Sequence, residues 1–169
     1  TEPGFSAYRW HAYGLEGIAH FDEVDKSELL HLERQQNLLF RNTTPFLAGK
    51  TANNALLWGA RGTGKSSLIK AQLTEFADRG WCIVEIPKVA TGELFEIIHK
   101  LAVDGRKFII YLDDLSFEAH DDSYKVLKAC LEGSLQPQPD NVIIYATSNR
   151  RHLMPESMQD NLDSKMVDG

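Results

Sequence analysis

The chain has 169 residues, with 18 Lys or Arg against 24 Asp or Glu, so its formal net charge at pH 7 is −6. Hydrophobic residues make up 43% of the chain and charged residues 25%, which is the composition of a globular domain and excludes a disordered chain. No apolar run approaches the roughly 20 residues of a membrane helix, which excludes a spanning protein. The acidic balance argues against a surface that binds nucleic acid over its whole extent, although a local basic patch remains compatible with it.

The two cysteines, Cys82 and Cys130, form neither a zinc-ribbon pattern nor a C-x-x-C redox motif. Both lie in apolar stretches, which favours buried free thiols. The first residues lack the charged, apolar and small-residue succession of a signal peptide, so we expect a cytoplasmic protein.

Residues 1–26 are rich in aromatic residues, histidine and glycine, and we expect an irregular N-terminal lead-in ahead of one domain over residues 27–169. Apolar residues at helical spacing predict a helix from Ser27 to about Thr43, followed by Pro45. Four short apolar runs then predict strands: Ala55–Trp58, Trp81–Ile86, Phe108–Leu112 and Val142–Ala146.

Three stretches between these strands carry apolar residues at helical spacing and predict helices: Gly64–Asp78, Thr91–Val103 and Asp122–Glu132. Strands that alternate with helices of this length predict βαβ units and a mostly parallel sheet. The strands are continuously apolar, as a sheet covered on both faces requires. The fold class is therefore α/β, with three αβα layers.

The stretch after the first predicted strand matches the phosphate-loop pattern G-x-x-x-x-G-K-[ST] in full, and it opens a predicted helix. Its candidate nucleotide-binding residues are Gly59, Ala60, Arg61, Gly62, Thr63, Gly64, Lys65, Ser66 and Ser67. The glycines allow successive backbone N–H groups to turn toward an anion at the positive end of the following helix. We expect Lys65 to reach the terminal phosphates as a catalytic residue, and the Ser66 hydroxyl to bind Mg²⁺.

The third predicted strand runs directly into Asp113 and Asp114, at the sheet edge where ligands of parallel sheets bind. Beside a phosphate loop, Asp113 is the expected Mg²⁺ partner through water, and Asp114 is the expected residue that polarises the attacking water. Glu118 is an alternative to Asp114 as the base. Nearby Asp121 and Asp122 are more simply explained by helix capping than by a metal cluster.

The fourth predicted strand ends in Thr147-Ser148-Asn149. If this strand lies between the first and the third, the Asn149 amide would orient the attacking water or contact the γ-phosphate. The alternative is that these residues only begin a loop. The basic residues 150–152 that follow are compatible with phosphate, a neighbouring subunit, nucleic acid or solvent, and stay unassigned.

In this order and on these strands, the three motifs resemble those of the AAA+ branch of P-loop NTPases. Gly59–Ser66 resembles its Walker A motif, Phe108–Asp114 its Walker B motif, and Thr147–Asn149 its sensor-1 strand end. Over about residues 21–155 the chain is similar to a bacterial family of unknown function predicted to be AAA+ ATPases. The Asp-Asp ending also resembles bacterial replication initiators and helicase loaders.

The resemblance implies an ATP-binding and ATP-hydrolysing module that uses Mg²⁺, self-associates through nucleotide-dependent contacts, and couples its nucleotide state to a protein or nucleic-acid partner. Most AAA+ proteins have Glu in place of Asp114 and glycine near His31, and Leu29 and Leu30 are candidates for the adenine pocket. AAA+ sheets have the strand order 5-1-4-3-2, and only four of these strands are predicted here. We therefore expect the core to be truncated before its last strand and helical lid, with weak or no turnover alone.

Three alternatives to an ATPase differ in what they require. A non-catalytic ATP-binding switch or adaptor would keep the phosphate loop and lack turnover. A small-molecule kinase would need an acceptor site and a lid with arginines, and the sequence offers neither. A GTPase is disfavoured because no Asn-Lys-x-Asp motif occurs.

Overall fold

The structure is a computed structural model that describes residues 6–11, 14–17, 33–50, 52–58, 81–115, 122–132, 137–148 and 166–167. These residues form one sheet with the strands β1 (Ser6–His11), β2 (Gly14–Gly17), β3 (Ala55–Trp58), β4 (Trp81–Glu85), β5 (Lys107–Leu112), β6 (Val142–Ser148) and β7 (Met166–Val167). Three α-helices are described, α1 (Glu33–Leu47), α2 (Leu94–Asp104) and α3 (Asp122–Glu132), and a 3-10 helix (Lys88–Glu93) precedes α2.

The strand order across the sheet is β2-β1-β4-β5-β6-β3-β7, and every neighbouring pair is parallel except β1 with β2. The mostly parallel α/β fold is therefore confirmed. Strand β6 lies between β3 and β5, which is the placement on which the Asn149 prediction depends. Strands β7-β3-β6-β5-β4 reproduce the order 5-1-4-3-2.

The prediction that no strand follows Asn149 is wrong at Met166–Val167. This short strand pairs in parallel with β3, through the register Leu56 with Met166 and Leu57 with Val167. Two residues carry too little apolar pattern to predict a strand by themselves. These two residues form a strand because they pair with β3, which is distant in the chain, and a local sequence pattern does not reveal this pairing.

The irregular lead-in predicted for residues 1–26 is also wrong where the structure describes it, because β1 and β2 join the same sheet. β1 pairs in parallel with β4, and Tyr8 lies opposite Val84. Ala7 and Trp10 are buried, and the indole Nε1 of Trp10 donates to Glu93 at 3.4 Å. Arg9 between them is exposed, so the run lacks the continuous apolar character that identified the central strands.

Side chains of the central strands alternate between two buried clusters, one on each face of the sheet. On the face covered by α2 and α3 lie Val84, Ile110, Leu112, Ile144 and Ala146, among others. On the face covered by α1 lie Ile83, Ile109, Tyr111, Ile143 and Tyr145, together with Leu39 and Phe46 of the helix. Burial on both faces confirms the three αβα layers and explains the continuously apolar strands.

Helix α1 continues beyond its predicted end at Thr43, through Pro45 to Leu47, and the predicted residues 27–32 lie outside the described part of the chain. Proline removes one backbone donor, but two interactions stabilise the extra turn. Phe46 is fully buried against the sheet. The ammonium group of Lys107 donates to the carbonyl oxygens of Phe46 at 3.0 Å and Leu47 at 2.6 Å, which satisfies two acceptors at the helix end.

The predicted helix Asp122–Glu132 is confirmed as α3. The predicted helix Thr91–Val103 is confirmed as α2, although its first residues belong to the 3-10 helix. Gly105 ends α2 with a φ of 86°, a conformation that glycine adopts without strain. The predicted helix Gly64–Asp78 lies outside the described residues. Within the described part of the chain, no helix has the length and apolar character needed to cross a membrane.

Candidate functional site

The carboxyl ends of β3, β6 and β5 lie side by side and nearly level. Trp58 pairs with Ser148 and Leu57 with Thr147 between β3 and β6, and Leu112 pairs with Ala146 between β5 and β6. Neighbouring strands lie about 4.8 Å apart, so the backbones of β3 and β5 are separated by about 10 Å, with β6 between them. The end of β3 at Trp58 therefore lies about two strand spacings from the end of β5, which Asp113 follows.

The side chain of Thr147 connects the two aspartates. Its hydroxyl donates to Oδ1 of Asp113 at 2.8 Å and accepts a hydrogen bond from the backbone N–H of Asp114, also at 2.8 Å. Thr147 is only 1% exposed, whereas both aspartates are exposed. A buried hydroxyl on β6 thus holds two residues that open to solvent at the end of β5.

The backbone of the turn after β5 is held by the same strand. The N–H of Leu115 donates to the carbonyl oxygen of Thr147 at 2.8 Å, and the hydroxyl of Ser148 donates to the carbonyl oxygen of Leu115 at 2.8 Å. Asp114 between them has a φ of 55°. Asp and Asn are enriched in this left-handed region, so the turn favours the shorter carboxylate over glutamate at this position.

Asp113 and Asp114 fit a hard divalent cation. Carboxylate oxygens are the ligands that Mg²⁺ prefers, and Mg²⁺ usually keeps several waters. Exposed carboxylates at the open end of a parallel sheet leave room for those waters. The hydroxyl bond at Oδ1 of Asp113 also fixes one carboxylate oxygen relative to β6.

Of the predicted site residues, the structure describes Asp113 and Asp114, which lie together in the turn after β5. The following lie outside the described residues: Gly59, Ala60, Arg61, Gly62, Thr63, Gly64, Lys65, Ser66, Ser67, Asn149, Glu118, Leu29, Leu30, His31 and residues 150–152. The residues directly before the phosphate loop and before Asn149 are nevertheless a register pair, Trp58 with Ser148. The roles predicted for Lys65, Ser66 and Asn149 stay predictions.

The sequence motifs assign no role to the hydroxyls of Thr147 and Ser148, which follow the predicted strand Val142–Ala146. The available signal was two hydroxyl residues that continue a buried strand beyond Ala146, opposite a strand that ends in two aspartates. β6 extends to Ser148, two residues farther than its apolar run predicted. The hydroxyls remain buried because they bond to the neighbouring turn.

One strand position below Thr147 on the same face, Tyr145 joins β6 to α1. Its hydroxyl bonds to the hydroxyl of Thr43 and accepts from Nδ2 of Asn42 at 3.0 Å. Complete burial raises the pKa of Tyr145 to about 12. This phenol therefore stays neutral at physiological pH, and its hydrogen bonds attach β6 to α1.

Both cysteines are buried free thiols, as predicted. Burial raises the pKa of Cys130 to about 12, and burial is also the largest cause of the raised pKa of Cys82. Raised thiol pKa values oppose thiolate chemistry at neutral pH.

A model of the family described as "Protein of unknown function (DUF815)" matches residues 4–168. No curated protein sequence matches the chain at a significant level.

Three solved structures similar to the fold illustrate its class. The Thermotoga maritima RuvB Holliday junction branch migration motor has a TM-score of 0.53 at 15% identity, covering 86% of this chain and 45% of that one. C. elegans PCH-2 has a TM-score of 0.55 at 18% identity, covering 85% of this chain and 43% of that one. Aeropyrum pernix ORC1 in complex with DNA has a TM-score of 0.59 at 20% identity, covering 82% of this chain and 44% of that one. The chain spans less than half the length of these proteins. At such identities the likeness shows the fold, which is that of the AAA+ P-loop ATPases.

Proposed function

Since the chain belongs to the family described as "Protein of unknown function (DUF815)" and has the AAA+ fold, we propose that it binds ATP with Mg²⁺ and hydrolyses it. The observation that carries this proposal is the position of the acidic turn. Asp113 follows β5, which the single strand β6 separates from β3, and the sequence that follows β3 is a complete phosphate-loop motif.

Each proposed role follows from the chemistry of the residue and its place along the strands. Residues 59–67 would hold the phosphates through backbone N–H groups, and Lys65 would neutralise the terminal phosphate charge. Ser66 and Asp113 would hold the magnesium ion, the latter through water. Mg²⁺ supplies charge neutralisation at the phosphate oxygens.

Asp114 is proposed as the base that polarises the attacking water, and Asn149 as the amide that orients this water. The base requires a carboxylate that is accessible to solvent and fixed in direction. Asp114 is exposed, and its backbone N–H is tied to Thr147. Asn149 follows the last residue of β6 in the sequence, and β6 lies between β3 and β5.

The wider part of the proposal concerns the use of the nucleotide. We propose that ATP binding promotes self-association of the chain, and that the nucleotide state is passed to a protein or nucleic-acid partner in the cytoplasm. The support is the fold, since phosphoryl-transfer sites of P-loop proteins are commonly completed by an arginine from a neighbouring protein.

The test of nucleotide binding is a titration with a fluorescent ATP analogue in the presence of Mg²⁺. Lys65→Ala is expected to weaken binding at least about tenfold, because a charged contact to phosphate contributes roughly 1.5–3 kcal/mol. Lys50→Ala is the matched control, since Lys50 is an exposed lysine before the start of β3. Equal affinity of the Lys65→Ala and wild-type proteins would overturn the proposal that this loop holds the phosphates.

A further inference from the structure

We propose that Thr147 is a positioning residue that holds the acidic turn in its metal-binding geometry and thereby sets the Mg²⁺ affinity of the nucleotide site. The inference rests on the proposed nucleotide function and adds to it a role for Thr147, to which the sequence motifs assigned no chemistry of its own. It concerns one buried hydroxyl that bonds to the exposed carboxylate of Asp113 and to the backbone N–H of Asp114.

The direction of the Thr147 hydroxyl is fixed by its two partners. A hydroxyl has one proton to donate and two lone pairs that accept. The backbone N–H of Asp114 can only donate, so the hydroxyl oxygen accepts there. The single proton is then directed at the carboxylate oxygen Oδ1 of Asp113, which lies 2.8 Å away. One hydroxyl thus restricts both the side chain of Asp113 and the backbone of Asp114.

The backbone of Thr147 adds a third attachment through the N–H of Leu115. Two successive amides of the turn therefore bond to one residue of β6, and Asp114 is held at a φ of 55° between its neighbours. Because β6 also pairs with β3, Thr147 fixes the aspartates relative to the strand that leads into the phosphate loop. Outer partners of this kind orient metal-binding carboxylates, and their loss typically weakens metal binding about 10–100-fold.

A second buried threonine provides a matched comparison. Thr43, on α1, is fully buried. Its hydroxyl bonds to the hydroxyl of Tyr145, which lies on β6 like Thr147. Replacement of either threonine by valine removes one buried hydroxyl and keeps nearly the same volume. Only the replacement at Thr147 removes hydrogen bonds to Asp113 and Asp114.

The experiment compares Thr147→Val, Thr147→Ser and Thr43→Val with the wild-type protein in two measurements. The first is amide hydrogen exchange at residues 113–115, where Thr147→Val is expected to speed exchange about tenfold. The second is the Mg²⁺ concentration that half-saturates the Mg²⁺-dependent part of ATP-analogue binding, which Thr147→Val is expected to raise about tenfold. Thr147→Ser restores both values, because it restores the hydroxyl. Thr147→Ala gives the same two readouts without a branched side chain, should the valine variant fail to fold.

Thr43→Val is expected to lower the free energy of unfolding while both site readouts stay at the wild-type values. Wild-type Mg²⁺ dependence in Thr147→Val, or an equal shift in Thr43→Val, would overturn the inference and leave nucleotide binding intact. A wild-type protein that binds no ATP analogue at any Mg²⁺ concentration would overturn the proposed function, and this inference with it. Binding that depends on Lys65 but not on Thr147 therefore separates the two failures.

Discussion

The two ends of the parallel sheet use their polar side chains for different purposes. At the end where β5 and β6 begin, polar groups bond to backbone carbonyls of neighbouring segments. Lys107 donates to the carbonyls that end α1, and Nδ2 of Asn141 donates to the carbonyls of Leu101 at 3.0 Å and Arg106 at 2.8 Å. These bonds link the ends of two helices and the segment before β5 to the start of the sheet, so this end closes the fold.

At the carboxyl end the buried hydroxyl of Thr147 bonds to a carboxylate and to the amide beside it, and both carboxylates stay exposed. A group that only closed the fold would have no need of exposed acidic partners. Polar side chains at the first end therefore bond to the fold itself, and under the proposed function those at the carboxyl end would orient groups for a ligand. Substitutions at the two ends should therefore affect different measurements.

Asp114→Asn is expected to have the largest effect, and it should act on catalysis alone. The substitution removes the carboxylate while keeping a residue that tolerates a φ of 55°. We expect the rate of ATP hydrolysis to fall about a hundredfold, and the free energy of unfolding to change by less than about 0.5 kcal/mol. Single-turnover phosphate release and urea denaturation measure the two quantities. An unchanged rate would contradict the role of Asp114 as base.

Asn141→Ala is expected to show the opposite behaviour at the other end of the sheet. Loss of two hydrogen bonds to backbone carbonyls should lower the free energy of unfolding by about 2 kcal/mol. Affinity for the ATP analogue should stay within about twofold of the wild-type value when both proteins are measured well below the unfolding transition. Asp140→Ala, at the exposed neighbouring position, is the control and should cost less than about 0.5 kcal/mol. A larger loss of nucleotide affinity than of stability in Asn141→Ala would remove the distinction between the two ends.

The central sheet could be predicted from the sequence because its strands are buried on both faces. Continuous apolar runs such as Phe108–Leu112 leave little choice of structure, and Ala55–Trp58 was predicted with the observed bounds. The acidic pair could be placed because it follows such a run. Local pattern was sufficient wherever burial was complete.

The remaining features depend on partners that are distant in the chain. β1 is a strand because it pairs with β4, and β7 because it pairs with β3. Helix α1 passes Pro45 because Lys107, far along the chain, satisfies its last carbonyls. Thr147 likewise gains its hydrogen-bond partners from residues 113–115, in the turn after the neighbouring strand β5. Propensity at a single position reports none of these contacts.

Replacement of Tyr145 is expected to have the smallest effect. Tyr145 lies two residues before Thr147 on β6, so it tests where along this strand the polar groups stop affecting the acidic turn. Its pKa is raised from 10.0 to about 12, with burial as the largest cause. The folded state thus holds the phenolic proton more tightly than the unfolded state does. The resulting stabilisation is complete below pH 10 and decreases as the pH rises toward 12, with a loss of about 1 kcal/mol by pH 11.

Tyr145→Phe removes this titration together with the hydrogen bonds to Thr43 and Asn42. At pH 8 we expect the wild-type protein to be more stable by about 1 kcal/mol, and this difference should close as the pH approaches 11. Cys130, whose pKa is also raised to about 12, titrates in both proteins, so its contribution cancels in the comparison. Urea denaturation of both proteins between pH 8 and 11 measures the difference. Because the phenol contacts α1 and not the acidic turn, the Mg²⁺ dependence of nucleotide binding should be the same in both proteins at pH 8. A changed Mg²⁺ dependence in Tyr145→Phe would mean that Tyr145, as well as Thr147, affects the proposed nucleotide site.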